Sequence, residues 1–372
     1  MSSQDKDWPS VCRIIWLSGG LVAINEPGAK VKIAAGINGP ICHEFQLTTF
    51  ASMYTMLGHH GFSIIGTTHV VDMDEANGIR PPEFRAWSDG IRVWHVSNVQ
   101  QKWREVAHAA SQKNEMVMMD MASRISSELS YCEMRLQQLA EAYGVQLGVK
   151  AKEGDIEEFV RFEDMHSSKI YLAIHALFWE LAVLRDYMTE FSAKYLFGID
   201  KVTSFGKKFL DQLANSKWKN DDVAIELLRA GHEGHGGWLA TFSDYRNLFT
   251  HRAPMTQAAG IAFATQDQMA IWGGKSVPQL YYPLPGDVRE LSNRRASGVL
   301  FKDMEELIAT SRKIPKRETE PDALSYLHDA LGLMALLAER MVQRSPIAPE
   351  AIHLTEADII GPLQVRWPSG KV

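Results

Sequence analysis

Ser167–Gly198 reads SSKIYLAIHALFWELAVLRDYMTEFSAKYLFG. Its apolar residues Ile170, Ile174, Leu177, Leu181, Leu184, Met188, Phe191 and Tyr195 alternate steps of four and three, so they form one stripe along an α-helix. Ser167 or Ser168 is placed to cap the first turn, and Gly198 to end the last. A stripe this long needs partner helices, because alone it would leave its whole apolar face in water.

Partners are present on both sides. Upstream, Met118, Ala122, Ile125, Leu129, Cys132, Leu136, Leu139 and Tyr143 repeat the same spacing, with Gly144 as the expected stop. Downstream, Trp238, Phe242, Tyr245 and Phe249 make an aromatic stripe on a helix that must end before Pro254, since the residue preceding a proline is pushed out of the α region. After Pro321, Leu324, Leu327, Leu331, Met334, Ala338 and Met341 give a fourth stripe. The economical reading is a mainly α fold, a helical bundle.

The start of the chain differs. Gly and Pro punctuate β-leaning pieces at Val11–Leu17, Lys30–Ala35, Ser63–Met73 and Gly90–Val96. A short helix carrying Leu47, Phe50, Tyr54 and Leu57 interrupts them and stops at Gly58-His59-His60-Gly61. Ala262–Gly286, with its glycines, prolines and paired tyrosines, reads as an irregular or hairpin insertion. The expected division is a mixed α/β, strand-containing segment over 1–105, a bundle over 106–260, an irregular insertion over 261–299, helices completing the bundle over 300–345, and a tail over 346–372.

Composition narrows the function classes. In 372 residues, 45% are hydrophobic and 23% charged, which excludes global disorder and a multi-span membrane protein. A net charge of −6 argues against coating nucleic acid by bulk electrostatics, so any nucleic acid must meet a local basic patch. Cys12, Cys42 and Cys132 lie far apart with no CxxC pair, which supports neither a disulfide framework nor a thiolate zinc site and fits a cytoplasmic location. The early apolar stretch Ile14–Ile24 is broken by Ser18-Gly19-Gly20 and reads poorly as a signal peptide; no membrane association is expected.

Several motifs fail on spacing. In His232-Glu233-Gly234-His235-Gly236-Gly237 the histidines stand three apart, whereas a helical zinc pair needs four. Gly273-Gly274-Lys275-Ser276 lacks the upstream glycine of a phosphate loop, which would fall on Met269. No G-x-S-x-G elbow occurs, and the methionines of 116–121 suit core filling. No metal or cofactor site is therefore expected.

The segment Asp244-Tyr245-Arg246-Asn247-Leu248-Phe249-Thr250-His251-Arg252-Ala253-Pro254 remains. It resembles the signature of the HEPN superfamily: an arginine, a polar follower, and a histidine after a spacer of four to six residues near a helix end. Two other arginine–histidine pairs have similar spacing, Arg161 with His166 and Arg229 with His235. Arg161 is followed by Phe162 and the carboxylates Glu163-Asp164, and Arg229 by Ala230, so neither has the polar follower. The resemblance covers the bundle, from about residue 115 to 345.

The resemblance implies an RNA-cleaving HEPN-like helical bundle, of the kind found among toxins and phage-defence effectors. RNA would be the substrate, a second copy of the chain would face the motif, and an antitoxin or regulatory protein would be a further partner. On an α-helix Asn247 and His251 share a face, while Arg246 lies one position around and about 7.5 Å lower along the axis. His251, in the last turn, meets the carbonyl end of the helix dipole, which favours an imidazolium. Arg246 would grip a phosphate, Asn247 would orient either partner, and His251 would shuttle the proton of the 2′-hydroxyl without a metal. Arg252 is a secondary phosphate contact, or caps the last carbonyls.

Two copies facing each other would supply the second acid or base, with the aromatic stripe contributing to their interface. The chain departs from relatives partnered by a nucleotidyltransferase, in which a tyrosine often stands two places after the histidine; here that place is Ala253. The competing reading is a non-catalytic nucleotide-binding or protein-interaction module, with Arg246 buried against Asp244 or Glu180.

Overall fold

The computed structural model describes residues 11–26, 30–47, 49–71, 83–88, 94–154, 159–232, 237–258, 264–271, 273–312 and 316–352. Glu233–Gly236, residues 313–315 and most of the expected tail lie outside them.

The chain opens with strands β1 (Val11–Leu17), β2 (Leu21–Glu26), β3 (Lys30–Ala35) and β4 (Ile41–Gln46), then helix α1 (Phe50–His59), then β5 (Ile64–Val71) and β6 (Glu83–Ala86). These strands form an antiparallel sheet in the order β4-β3-β2-β1-β5-β6. In β1, Arg13 points to one face, where Phe50 and Tyr54 of α1 cover it, and Trp16 points to the other, donating to Thr68 Oγ1 at 2.9 Å.

Three of the expected strands, now β1, β3 and β5, and the short helix appear nearly as read, while β2, β4 and β6 carry too little alternation to have been expected. Gly90–Val96 is a correction. His95 and Val96 open a helix instead of lying in a strand, and residues 90–93 are outside the described set.

The helical part follows: α2 (His95–Gln112), α3 (Met116–Glu153), the two-residue strand β7 (Arg161–Phe162) and α4 (Met165–Phe191), which continues as a π-helical turn over Ser192–Phe197. Every residue of the α3 stripe is buried, as is the α4 stripe from Ile170 to Phe191. Asp164 caps α4 by accepting from the His166 and Ser167 amides, with Ser167 Oγ accepting in return from the Asp164 amide. The cap therefore lies three residues before Ser167. Gly198, at φ 61°, does end the helix.

The expected stop at Gly144 is overturned. Helix α3 runs on to Glu153, and Gly144 is instead where the sheet meets the helix. A Cβ on Gly36, at φ +71°, would stand 2.1 Å from the Gly144 carbonyl oxygen, so the two main chains touch without a side chain between them.

The remaining elements are α5 (Lys207–Ala214), α6 (Asp222–Gly231), α7 (Trp238–Asn247), a π-helical turn over Leu248–Arg252, α8 (Met255–Ala258), strands β8 (Ala264–Ile271) and β9 (Lys275–Tyr281), α9 (Val288–Ala296), α10 (Met304–Arg312) and α11 (Ala323–Gln343). The expected insertion is a hairpin. β8 and β9 pair antiparallel around Gly273 and Gly274, which take positive φ, and β8 also pairs with β7.

Helix α11 packs against α2, α3 and α4, and Trp103 of α2 donates to its Ala338 carbonyl at 3.2 Å. Sheet and bundle share one continuous apolar core. The protein is mainly α. The helical stretch Met165–Phe197 is long and apolar enough to cross a membrane by length and composition, with half of its apolar window buried in the protein.

Candidate functional site

Arg246 and Asn247 close α7, and His251 follows in the π-helical turn. That turn matters for geometry. The Ala253 amide bonds the Leu248 carbonyl at 2.8 Å, a five-residue step. Widening the helix in this way brings residues five apart onto one side, whereas an α-helix would leave Arg246 and His251 on different faces. Arg246 Nη1 lies 3.1 Å from His251 Nε2 and donates to Asn247 Oδ1 at 3.2 Å. Asn247 and His251 thus meet the same Arg246 nitrogen, and the contact of Arg246 with His251 is direct.

Arginine carries only donors, so where this contact is a hydrogen bond, Nε2 of the imidazole is its acceptor. The carboxylates that could have neutralised Arg246 are engaged elsewhere. Asp244 pairs with Arg289 at 2.6 Å and Glu180 with Arg135 at 3.0 Å. Among the described residues Arg246 makes no ion pair, and its Nε is buried without a hydrogen-bond partner. Arg246 is partly exposed, while Asn247 and His251 are exposed.

The aromatic stripe behind the motif serves the interior. Phe242 and Tyr245 of α7 and Phe249 of the π turn are buried; each packs on Phe178 of α4, Tyr245 also meets Tyr326 of α11, and the Tyr245 hydroxyl donates to the Pro285 carbonyl at 2.8 Å. These three residues of the stripe therefore face the interior, and Trp238 alone of the four is partly exposed. Two further contacts fix the end of the segment. The Met255 amide donates to His175 Nε2 at 3.2 Å, with burial holding the His175 pKa below its usual value, and Arg295 Nε donates to the Arg252 carbonyl at 3.0 Å. The Arg252 residue itself is exposed.

Arg246 and Asn247 border a groove of about 810 Å³ between α4, α5, α6 and α7. Its charges are Arg185, Lys207 and Arg246 against Asp186, Asp211 and Asp244. Asp244 is taken by Arg289. Asp186 is taken by Arg185, at 2.8 Å, and by the Phe205 amide, at 3.1 Å. Arg185, 7% exposed, also donates to Ser243 Oγ at 2.9 Å. Burial pushes its pKa down, Asp186 opposes that, and the nearby Arg246 charge adds to the lowering. With Asp186 and Asp244 engaged, Arg246 and Lys207 are left against Asp211, a small positive surplus of the sign an anion requires.

Sequence reasoning found Arg246, Asn247 and His251 but missed Arg185, Ser243, Lys207 and Trp179, whose ring centroid lies 5.7 Å from the Arg246 guanidinium carbon. A signal was present for some of them. His175, Trp179 and Asp186 stand four and seven apart, and so fall on one side of α4. Among the described residues no group of three or more His, Cys, Asp or Glu side chains is arranged to hold a metal ion. Cys12, Cys42 and Cys132 are free thiols. No family model, curated protein or solved structure matches the chain.

Proposed function

We propose that the protein is a metal-independent endoribonuclease of the HEPN type, acting as a toxin or phage-defence effector. The observation that carries this reading is the 3.1 Å approach of Arg246 Nη1 to His251 Nε2 beside an open groove, with the nearby carboxylates already engaged.

In the proposed reaction a phosphodiester enters beside Arg246, whose remaining N–H groups hold its non-bridging oxygens and the charge that builds on phosphorus. Asn247 Oδ1, as acceptor, keeps the guanidinium in place. His251 Nε2, released from Arg246, takes the proton of the ribose 2′-hydroxyl. The 2′-oxygen bonds to phosphorus, the bond to the 5′-oxygen breaks, and that oxygen is protonated. The products are a 2′,3′-cyclic phosphate and a 5′-hydroxyl. One histidine cannot serve both ends at once, so the acid is assigned to the same histidine of a second copy in a homodimer, which starts protonated and gives its proton to the 5′-oxygen as His251 gains one from the 2′-hydroxyl. Arg252, exposed beside His251, is a further phosphate contact.

The test is incubation of the full chain with total RNA in EDTA, beside Arg246→Ala and His251→Ala. Cleavage by the parent, with rates lower by roughly 10²- to 10⁴-fold in both folded variants, is the expected result. A parent that cleaves no RNA under any condition favours the non-catalytic binding module instead.

A further inference from the structure

We propose that Trp179 is a stacking platform for a nucleobase, and that the protein therefore engages single-stranded rather than duplex RNA. This rests on the proposed reading of Arg246 as the phosphate holder.

Neighbouring aromatics on α4 have opposite fates: Phe178 is 2% exposed in the core, whereas Trp179 is 53% exposed. Leaving half an indole in water forfeits apolar burial that Phe178 keeps. The Arg246 guanidinium carbon lies over the Trp179 ring, 5.7 Å from the centroid, so the phosphate holder adjoins a flat, half-exposed apolar surface. A nucleotide presents the same pair of features, a phosphate and a flat base on one sugar. Bases inside an A-form helix are already stacked and paired, and only an unpaired strand can turn one out onto a side chain. Ser243 and Lys207 line the same groove as Arg246, so the adjoining strand meets a hydroxyl and a second cation there, with Asp211 the carboxylate it must pass.

Met165, Leu172 and Trp179 form an exposed line at seven-residue spacing, 71%, 73% and 53% accessible, which would also suit a protein partner. Tryptophan and arginine also suit protein interfaces, so the choice of nucleic acid rests on what adjoins the ring: Arg246 without an ion pair among the described residues, with Asn247 and His251 on its Nη1, is a phosphate-binding and proton-transfer set that a protein partner would not require.

The experiment measures binding of a labelled single-stranded 2′-O-methyl RNA octamer, which lacks the nucleophile and stays intact, and of the same octamer as a duplex. Parent, Trp179→Leu, Trp179→Phe and Leu172→Ser are compared, with solution mass recorded for each and cleavage of unmodified RNA assayed in parallel. The expected result is about tenfold or greater loss of single-strand affinity in Trp179→Leu, substantial retention in Trp179→Phe, and little change in Leu172→Ser. Duplex binding should be weak throughout, and in cleavage the Leu variant should raise KM more than it lowers kcat.

The proposal is overturned if the parent does not bind the single strand or prefers the duplex, or if Trp179→Leu binds as the parent does. It is also overturned if Trp179→Leu and Leu172→Ser both lower the solution mass, which would make the line a protein interface. Binding that depends on Trp179 without cleavage of unmodified RNA would uphold the platform and refute the nuclease.

Discussion

Arg246 spends a single nitrogen, Nη1, on both Asn247 and His251, which leaves Nη2 free to meet an oxygen of a bound phosphate. A lysine in its place would keep the charge but lose the planar fork and the second donor direction. Arg246→Lys is accordingly expected to lower RNA cleavage by about tenfold or more, with the melting temperature little changed. At this scale the sequence was readable where the chemistry is local. Arg246, Asn247 and His251 lie within one turn or so of each other, and their types announce phosphate and proton chemistry. Arg185, Trp179 and Lys207 reach the same place from α4 and α5, and no spacing rule within one helix joins them to α7. The engagement of Asp244 by Arg289 and of Glu180 by Arg135 likewise depends on tertiary packing.

Among elements, the π-helical turn at Leu248–Arg252 is what sequence periodicity could not supply, since a wheel drawn at 3.6 residues per turn places His251 away from Arg246. The apolar stripes of α3 and α4 were legible because a 3.6-residue period repeated over many turns has little other meaning. The role of Gly144 was not, because a glycine that ends a helix and one that admits a neighbouring backbone look alike in a string of letters.

Two glycine substitutions separate these effects. Gly36→Ala must accommodate both a positive φ and a Cβ that would meet the Gly144 carbonyl oxygen, and is expected to cost about 2 kcal/mol or more in urea unfolding. Gly58→Ala, inside α1 with nothing within 4 Å of the new methyl, should instead stabilise by about 0.5–1 kcal/mol in the same measurement.

Across the whole molecule, the helical core holds carboxyl groups that composition alone could not place. Glu133 is pushed up to about 7, mainly by burial, against the opposing pull of the Ala86 amide and the Ser97 hydroxyl. Glu128 is pushed up to about 8 by burial and then by its hydrogen bond to, and the charge of, Glu180. Both groups hold their proton more tightly folded than unfolded, where the ordinary value is 4.5. Their contribution to stability is therefore complete below about pH 4.5 and is lost as pH rises through 7 and then 8. Within that window each group lowers the unfolding free energy by at most about 1.4 kcal/mol per pH unit. Glu128→Gln should remove its share, so that urea titrations at pH 5 and pH 8 differ less for the variant than for the parent. An unchanged difference would mean that Glu128 is already ionised in the folded protein at pH 5.

The meeting of sheet and α3 at Gly36 and Gly144 has a consequence for how this chain can diversify. Where two partners interlock through side chains, a loss on one side can be matched by a gain on the other. Bare main chain against bare main chain offers no such exchange, so the seam is a fixed point around which the surface can vary while the two parts keep their mutual orientation.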